Sequence, residues 1–176
     1  MRFTRKILPI IFFYIFLPGC EAEISTNNRT SEGTEMFGKG KTENYVIFSP
    51  MEGVLMQNGK PLAGASIVRT LWWNGNVEGL VEEFKTDDKG RFSLPIHEEE
   101  LKLGMLDQFV GKADLEIETE SGNEYLWSSS KFFPEIFTET EGELRGLVCD
   151  TKSEEIAVPM GPTSILTRCR WSNMPE

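Results

Sequence analysis

The sequence predicts an all-β fold, an antiparallel β-sandwich with at most one short helix, preceded by a signal peptide and a flexible tether. Three observations carry this expectation. Short β-prone runs recur from Tyr45 onward. Turns rich in Gly, Asn and Asp separate them at close intervals. Only one stretch has a helical pattern, and repeated short strands with turn signals between them suit a sandwich or barrel.

The first element is a leader. Arg2, Arg5 and Lys6 precede an apolar run from Ile7 to Leu17, interrupted by Pro9. A basic end followed by a short apolar segment is the order of a secretory signal. A spanning helix takes about 20 apolar residues, so this run is too short for one. Leu17-Pro18-Gly19-Cys20 then resembles the lipobox of bacterial lipoproteins, with leucine three places before the cysteine and glycine directly before it. Pro18 departs from the small residue usual at its place. The resemblance implies a signal peptide over 1–19, cleavage before Cys20, a diacylglyceryl thioether on Cys20 and usually a further acyl chain on the new amino terminus. Each buried CH₂ contributes about 0.8 kcal/mol, so two or more chains anchor far better than one. Glu21 follows the cysteine, where lipoproteins kept in the inner membrane typically carry Asp. That points to a periplasm-facing protein of the cell envelope, at the outer membrane rather than the inner. An ordinary signal peptide cut elsewhere and an uncleaved anchor are the two other readings of these residues.

Residues 20–43 read as the tether: polar, rich in Ser, Thr, Asn and Gly, and without apolar periodicity. Asn28-Arg29-Thr30 matches a glycosylation sequon that a bacterial lipoprotein would not usually use. Gly38-Lys39-Gly40-Lys41-Thr42 looks like the end of a phosphate-binding loop, but Glu35 stands where that motif needs glycine, and no flanking strand and helix are suggested.

The sandwich is expected over 44–176. Tyr45 to Phe48 is β-prone and Ser49-Pro50 breaks it. Glu52 to Gln57 reads as a strand, and Asn58-Gly59-Lys60-Pro61 as a turn. Ala65 to Trp73 and Val77 to Lys85 pair around Asn74-Gly75-Asn76. Asp87 to Gly90 turns the chain into Arg91-Phe92-Ser93-Leu94. His97 to Phe109 holds the helical pattern. Ala113 to Glu118 and the run from Glu124 form a hairpin around Ser121-Gly122-Asn123. Leu144 to Cys149 and Ser164 to Trp171 complete the set.

One part of this domain says more. Gly53, then Gly59-x-Pro61-Leu62-x-Gly64-Ala65-x-Ile67, then Thr86-Asp87-x-x-Gly90-x-Phe92-x-Leu94, resembles the carboxypeptidase regulatory-like domains. The resemblance covers Met51 to Thr70 and Phe84 to Pro95 and weakens after Pro95. It implies a transthyretin-like, or Ig-like, β-sandwich. It also implies a domain that binds, braces or spaces rather than catalyses, although fold cannot stand in for a site.

Charge and cysteines narrow the classes. The net charge is −10, and removing the three basic residues of the leader takes it to −13. Such a surface repels phosphate backbones, so nucleic acid is not the expected partner. With Cys20 acylated, Cys149 and Cys169 remain as an even pair in an oxidising compartment, and a disulfide between them is expected; two separate buried thiols are the alternative. No metal or other cofactor is expected, because zinc takes three or four protein ligands and His97 is the only histidine.

Catalytic motifs are equally sparse. Gly-x-Ser-x-Gly and His-Glu-x-x-His are absent. Glu98-Glu99-Glu100 reads as a solvated face, and Asp87-Asp88 as a turn without the ligand spacing of a calcium loop. Aromatic residues give the binding candidates: Trp72, Trp73, Trp127, Phe132 and Phe133. On a strand Trp72 and Trp73 point to opposite faces, so one enters the core and the other faces outward. The expected function is therefore a non-enzymatic envelope module, lipid-anchored through Cys20, that binds a protein partner. An immunity-type role against a toxin is its specific form, and carbohydrate or peptidoglycan recognition is the alternative.

Overall fold

The structure is a computed structural model that describes residues 41–119 and 122–175. The leader, Cys20, and the tether up to residue 40 lie outside the described residues, as do Glu120 and Ser121 of the expected turn.

The described residues contain strands and no helix. β1 (Thr42–Phe48), β2 (Met51–Gln57), β3 (Lys60–Pro61), β4 (Ser66–Trp73), β5 (Asn76–Lys85), β6 (Arg91–Leu94) and β7 (His97–Lys102) form the first half. β8 (Gly111–Thr119), β9 (Gly122–Lys131), β10 (Leu147–Asp150), β11 (Ile156–Met160), β12 (Thr163–Thr167) and β13 (Cys169–Arg170) form the second. One sheet runs β11-β12-β9-β8-β4-β5; a five-stranded sheet runs β13-β10-β2-β3 with β6 also on β2; β1 and β7 make a two-stranded ribbon. All pairings are antiparallel except β2 with β10, where Gly53 lies beside Leu147 in parallel register.

Alternation builds the core. On β4, Ile67, Arg69 and Leu71 are buried while Ser66, Val68 and Thr70 are not. Leu55, Phe92, Leu94 and Leu147 from the five-stranded sheet pack with Ile67, Leu71, Leu115, Ile117 and Trp127 from the six-stranded one in a single cluster. Fully burying a Leu or Ile side chain contributes about 1.5–3 kcal/mol, so this cluster is the main source of stability. Arg69 is the exception among these inward residues. It donates to Glu82 at 2.7 and 3.0 Å and to the Pro95 carbonyl at 2.6 Å, between the rings of Phe48 and Phe84.

Turn chemistry matches the sequence reading at two places. Asn58 and Gly59 both have positive φ, 53° and 72°, as a tight hairpin turn requires. The Asp87 carboxylate accepts from the Lys89 and Arg91 backbone N–H groups, and those bonds, that of Arg91 foremost, hold its pKa below the usual carboxylate value. At Gly53 a Cβ would stand 2.8 Å from the Phe92 ring, so glycine is there for close packing.

The helical expectation over His97 to Phe109 is corrected. His97–Lys102 is β7, paired with β1 from Thr42↔Lys102 to Phe48↔His97. His97, Glu99 and Leu101 are half-buried and Glu98, Glu100 and Lys102 exposed, a period of two. β11 is an unpredicted strand that Pro159 concealed, and the expected final strand is split into β12 and β13, which sit in different sheets. Cys149 and Cys169 face each other across β10 and β13 and form the disulfide, both buried.

Candidate functional site

The register of the six-stranded sheet brings together aromatic residues that lie far apart in sequence. Trp73 pairs with Gly111, and Gly111 with Lys131; one rung along, Trp72 pairs with Lys112, and Lys112 with Ser130. Adjacent strands lie about 4.8 Å apart, so the Trp72 and Phe132 segments end side by side, two strands from each other. Both end in clefts of about 360 Å³.

The first cleft is lined by Trp72, Trp73, Asn74, Val77, Val110 and Lys112. Trp72 and Trp73 do point to opposite faces. Trp73 packs on the core with its ring 5.4 Å from that of His97. Trp72 lies on the outer face, where the Lys112 ammonium sits 4.7 Å from the ring centroid. Its indole also lies against Gly79, where a Cβ would come within 2.6 Å of Nε1. Lys112 continues to Asp114 at 2.8 Å, and Asp114 accepts from the Ser128 hydroxyl at 2.7 Å. Next to these, burial pushes the Tyr125 pKa up to about 12; a hydrogen bond to Ser128 opposes the rise and Asp114 adds to it. Tyr125 is therefore a neutral hydroxyl at physiological pH. Asn74 ties the rim, donating to the Gln108 carbonyl at 2.9 Å and accepting from the Val110 N–H at 2.7 Å.

The second cleft is walled by Phe132, Phe133, Phe137, Met160 and Pro162, with Glu141 at its rim. Phe133 is 56% exposed and Ile136 47%. The loop that carries these residues is fixed by a buried latch. Lys131 Nζ is 2.5 Å from Glu139 Oε2 and 3.3 Å from Ser49 Oγ. Ser49 N–H donates to Glu139 Oε1 at 2.9 Å, and Phe137 N–H donates to Ser49 Oγ at 2.7 Å. Desolvation lowers the Lys131 pKa, and Glu139 opposes that shift. The Ser49–Lys131 contact resembles a nucleophile with its base. Both groups are buried and committed to other partners, however. The cluster therefore acts as an anchor for the loop. Phe137 sits at φ 61°, a left-handed backbone that costs an aromatic residue of order 1–3 kcal/mol and persists only where the surroundings impose it.

The sequence-predicted aromatics thus divide. Phe132 is half-buried and Phe133 exposed beside the second cleft, while Trp72 borders the first. Trp127 is corrected: it is fully buried, 5.7 Å from Trp171, and its indole N–H donates to Ser129 Oγ. Its strand position, opposite Leu115, turns it inward. Ser49, Lys131 and Glu139 were missed, since nothing in the sequence links positions so far apart. Asp150 was also missed. It accepts from the Asn58 and Gly59 N–H groups at 3.1 and 2.7 Å and so pins the β2–β3 turn from the neighbouring strand β10. Among the described residues no group of three His, Cys, Asp or Glu side chains is placed to hold a metal ion.

Comparison with known proteins gives one match. The sequence model of a family described as a domain of unknown function, DUF6795, matches residues 51–154. The match includes Trp72, Lys112, Phe133 and Cys149, and leaves β11 to β13 and Cys169 outside. No curated protein and no solved structure matches the chain. The match spans more than half of the chain, which therefore belongs to the DUF6795 family.

Proposed function

We propose that this DUF6795 chain is a lipid-anchored, non-catalytic binding module of the bacterial envelope, held through Cys20, facing the periplasm, with a protein as its partner. The observation that carries the reading is the pair of neighbouring apolar clefts at one end of the six-stranded sheet. Exposed Phe133, Val77 and Val110 line them. Aromatic and aliphatic anchors in shallow clefts are what protein interfaces use. The resemblance to carboxypeptidase regulatory-like domains suits the same reading: of its residues, Gly59 and Gly90 have positive φ, Gly53 packs closely on Phe92, and Phe92 and Leu94 are in the core. Neutralisation of a periplasmic toxin is the specific form. It suits an acidic, anchored protein meeting a cationic partner.

Carbohydrate recognition is the second reading, favoured by Ser128, Ser130 and Asp114 on the same face as Trp72. Against it, the Lys112 ammonium already occupies one side of the Trp72 ring, and Gly79 lies close to its Nε1.

Two measurements test the proposal. Intact mass of protein extracted from membranes is expected to show a chain beginning at Cys20 with added acyl mass, lost in Cys20→Ser. An unmodified chain cut elsewhere would remove the anchor. Cross-linking in whole cells is expected to give a defined protein adduct that Phe133→Ser abolishes. An unchanged adduct, together with a tryptophan fluorescence response to peptidoglycan fragments, would move the function to sugars.

A further inference from the structure

The loop that follows the β1–β7 ribbon opens with a turn of unusual composition. Gly104 to Asp107 is closed twice: the Asp107 N–H donates to the Gly104 carbonyl at 3.1 Å, and the Gly104 N–H donates to Asp107 Oδ2 at 2.8 Å. Turn positions normally carry Gly, Pro, Asn, Asp or Ser. Here the two central ones carry Met105 and Leu106, 83% and 92% exposed, and Leu106 is the most exposed large apolar side chain among the described residues. The turn is held from behind. Phe109 is buried with its ring 5.1 Å from that of Tyr45, and Asn74 bonds the backbone of Gln108 and Val110. Two apolar side chains are thus offered to the surroundings on a fixed support, and the core gains nothing from them. Exposed apolar groups of this kind mark contact with a protein or a membrane.

Register says what lies beside this tip. Thr42 pairs with Lys102, so the end of β1 at which the chain enters the described residues stands next to the start of the loop. β1 is exposed from Thr42 to Asn44 and buried from Val46 to Phe48, so the ribbon leaves the body of the domain toward the tip. Cys20 precedes Lys41 by about 20 residues, at most about 70 Å of extended chain. Charge does not hold this end off a lipid surface. From Lys41 to Glu43 and from Leu101 to Asp107 two lysines balance one glutamate and one aspartate, although the chain as a whole stands at −10. Size disfavours a second copy or another protein. A stable interface buries about 800 Å² on each partner, which two side chains on a projecting turn do not supply. A bilayer needs no complementary surface, and apolar side chains enter its headgroup boundary by about 5–10 Å.

We propose that Met105 and Leu106 are a second membrane contact, which enters the bilayer that holds the Cys20 lipid and fixes how the domain stands on it. The inference rests on the reading of Cys20 as the anchor. The test couples Cys20 of the full chain to a maleimide lipid in phosphatidylcholine vesicles, so the domain is held on a bilayer whether or not cells acylate that residue. Cys149 and Cys169 are protected by their disulfide. The readout is fluorescence quenching by lipids brominated in the acyl chain, measured above the background of the parent chain. Leu106→Trp is expected to lose about half of its added fluorescence. Leu166→Trp, at an exposed position on β12, is expected to lose none. Adding Met105→Glu to Leu106→Trp is expected to abolish the quenching and Met105→Leu to retain it, with salt changing neither result. No quenching of Leu106→Trp, or equal quenching of both probes, would overturn the proposal. So would an unquenched probe together with a native protein adduct lost in Met105→Glu, which would give the tip to a protein partner. Quenching with Cys20 unmodified in cells would remove the anchor and leave the tip as a lipid contact.

Discussion

Replacing Lys131 with methionine gives the sharpest check on the anchored loop. The Lys131 and Glu139 side chains are 2% and 6% exposed and their charged atoms lie 2.5 Å apart. Methionine keeps most of the stem volume and removes the charge, which leaves Glu139 buried without a cation. Breaking a buried pair from one side costs about 3–5 kcal/mol, because the remaining charge is uncompensated. Near the upper end, that is a third or more of the stability of an ordinary domain of about 5–15 kcal/mol. Urea denaturation is the assay: the midpoint is expected to fall by the corresponding amount at unchanged slope. Adding Glu139→Gln is expected to recover much of the loss, since the glutamine oxygen can still accept from the Ser49 N–H. A single variant that loses less than about 1 kcal/mol, or a double variant no better than the single, would refute the reasoning. Exchange across residues 132–146 is expected to quicken in the single variant before global unfolding.

Other expected outcomes follow from particular contacts. Reduction, or Cys149→Ala with Cys169→Ala, is expected to cost about 3 kcal/mol by chain entropy, and a two-dalton mass difference on reduction checks the bond itself. Trp127→Ala is expected to cost about 3–5 kcal/mol by denaturation, whereas Phe133→Ser should stay within about 0.5 kcal/mol. Burial works to raise the Asp150 pKa, but the N–H groups of Lys152, Gly59 and Asn58 outweigh it and hold the value below the ordinary one. Its stabilisation is therefore complete above the unfolded aspartate pKa and is lost as pH falls through the lower folded value. The stability gap to Asp150→Asn should close in that acid window, and a gap constant with pH would contradict the assignment.

What the sequence discloses here is local. Asn58-Gly59 and Asp87 to Gly90 name their turns because backbone geometry demands those residue types. The β8–β9 hairpin is legible from alternation on both sides of Gly122. β7 is hidden because glutamates occupy both its faces, and half-buried Glu99 takes a 3.0 Å contact with His97. The aromatic candidates were found as residue types but not as a site. Only the β4–β8–β9 register places Trp72 near Phe132, and only packing turns Trp127 inward. The latch depends on three positions that meet through the fold alone.

The parallel pairing of β2 with β10 also orders events in time. An antiparallel neighbour can arrive by a hairpin, whereas Gly53 waits for Leu147, at the far side of most of the domain. Contacts of such separation slow folding, because the intervening chain must be organised before they reward it. A chain made from its N-terminus therefore holds one flank of β2 open, a sticky edge, until β10 exists. The family match begins at Met51, where β2 starts, and ends at residue 154, four residues beyond β10. Residues 51–154 thus contain both strands of this ladder, and β11 to β13 come afterwards as a clasp, riveted to β10 by Cys169.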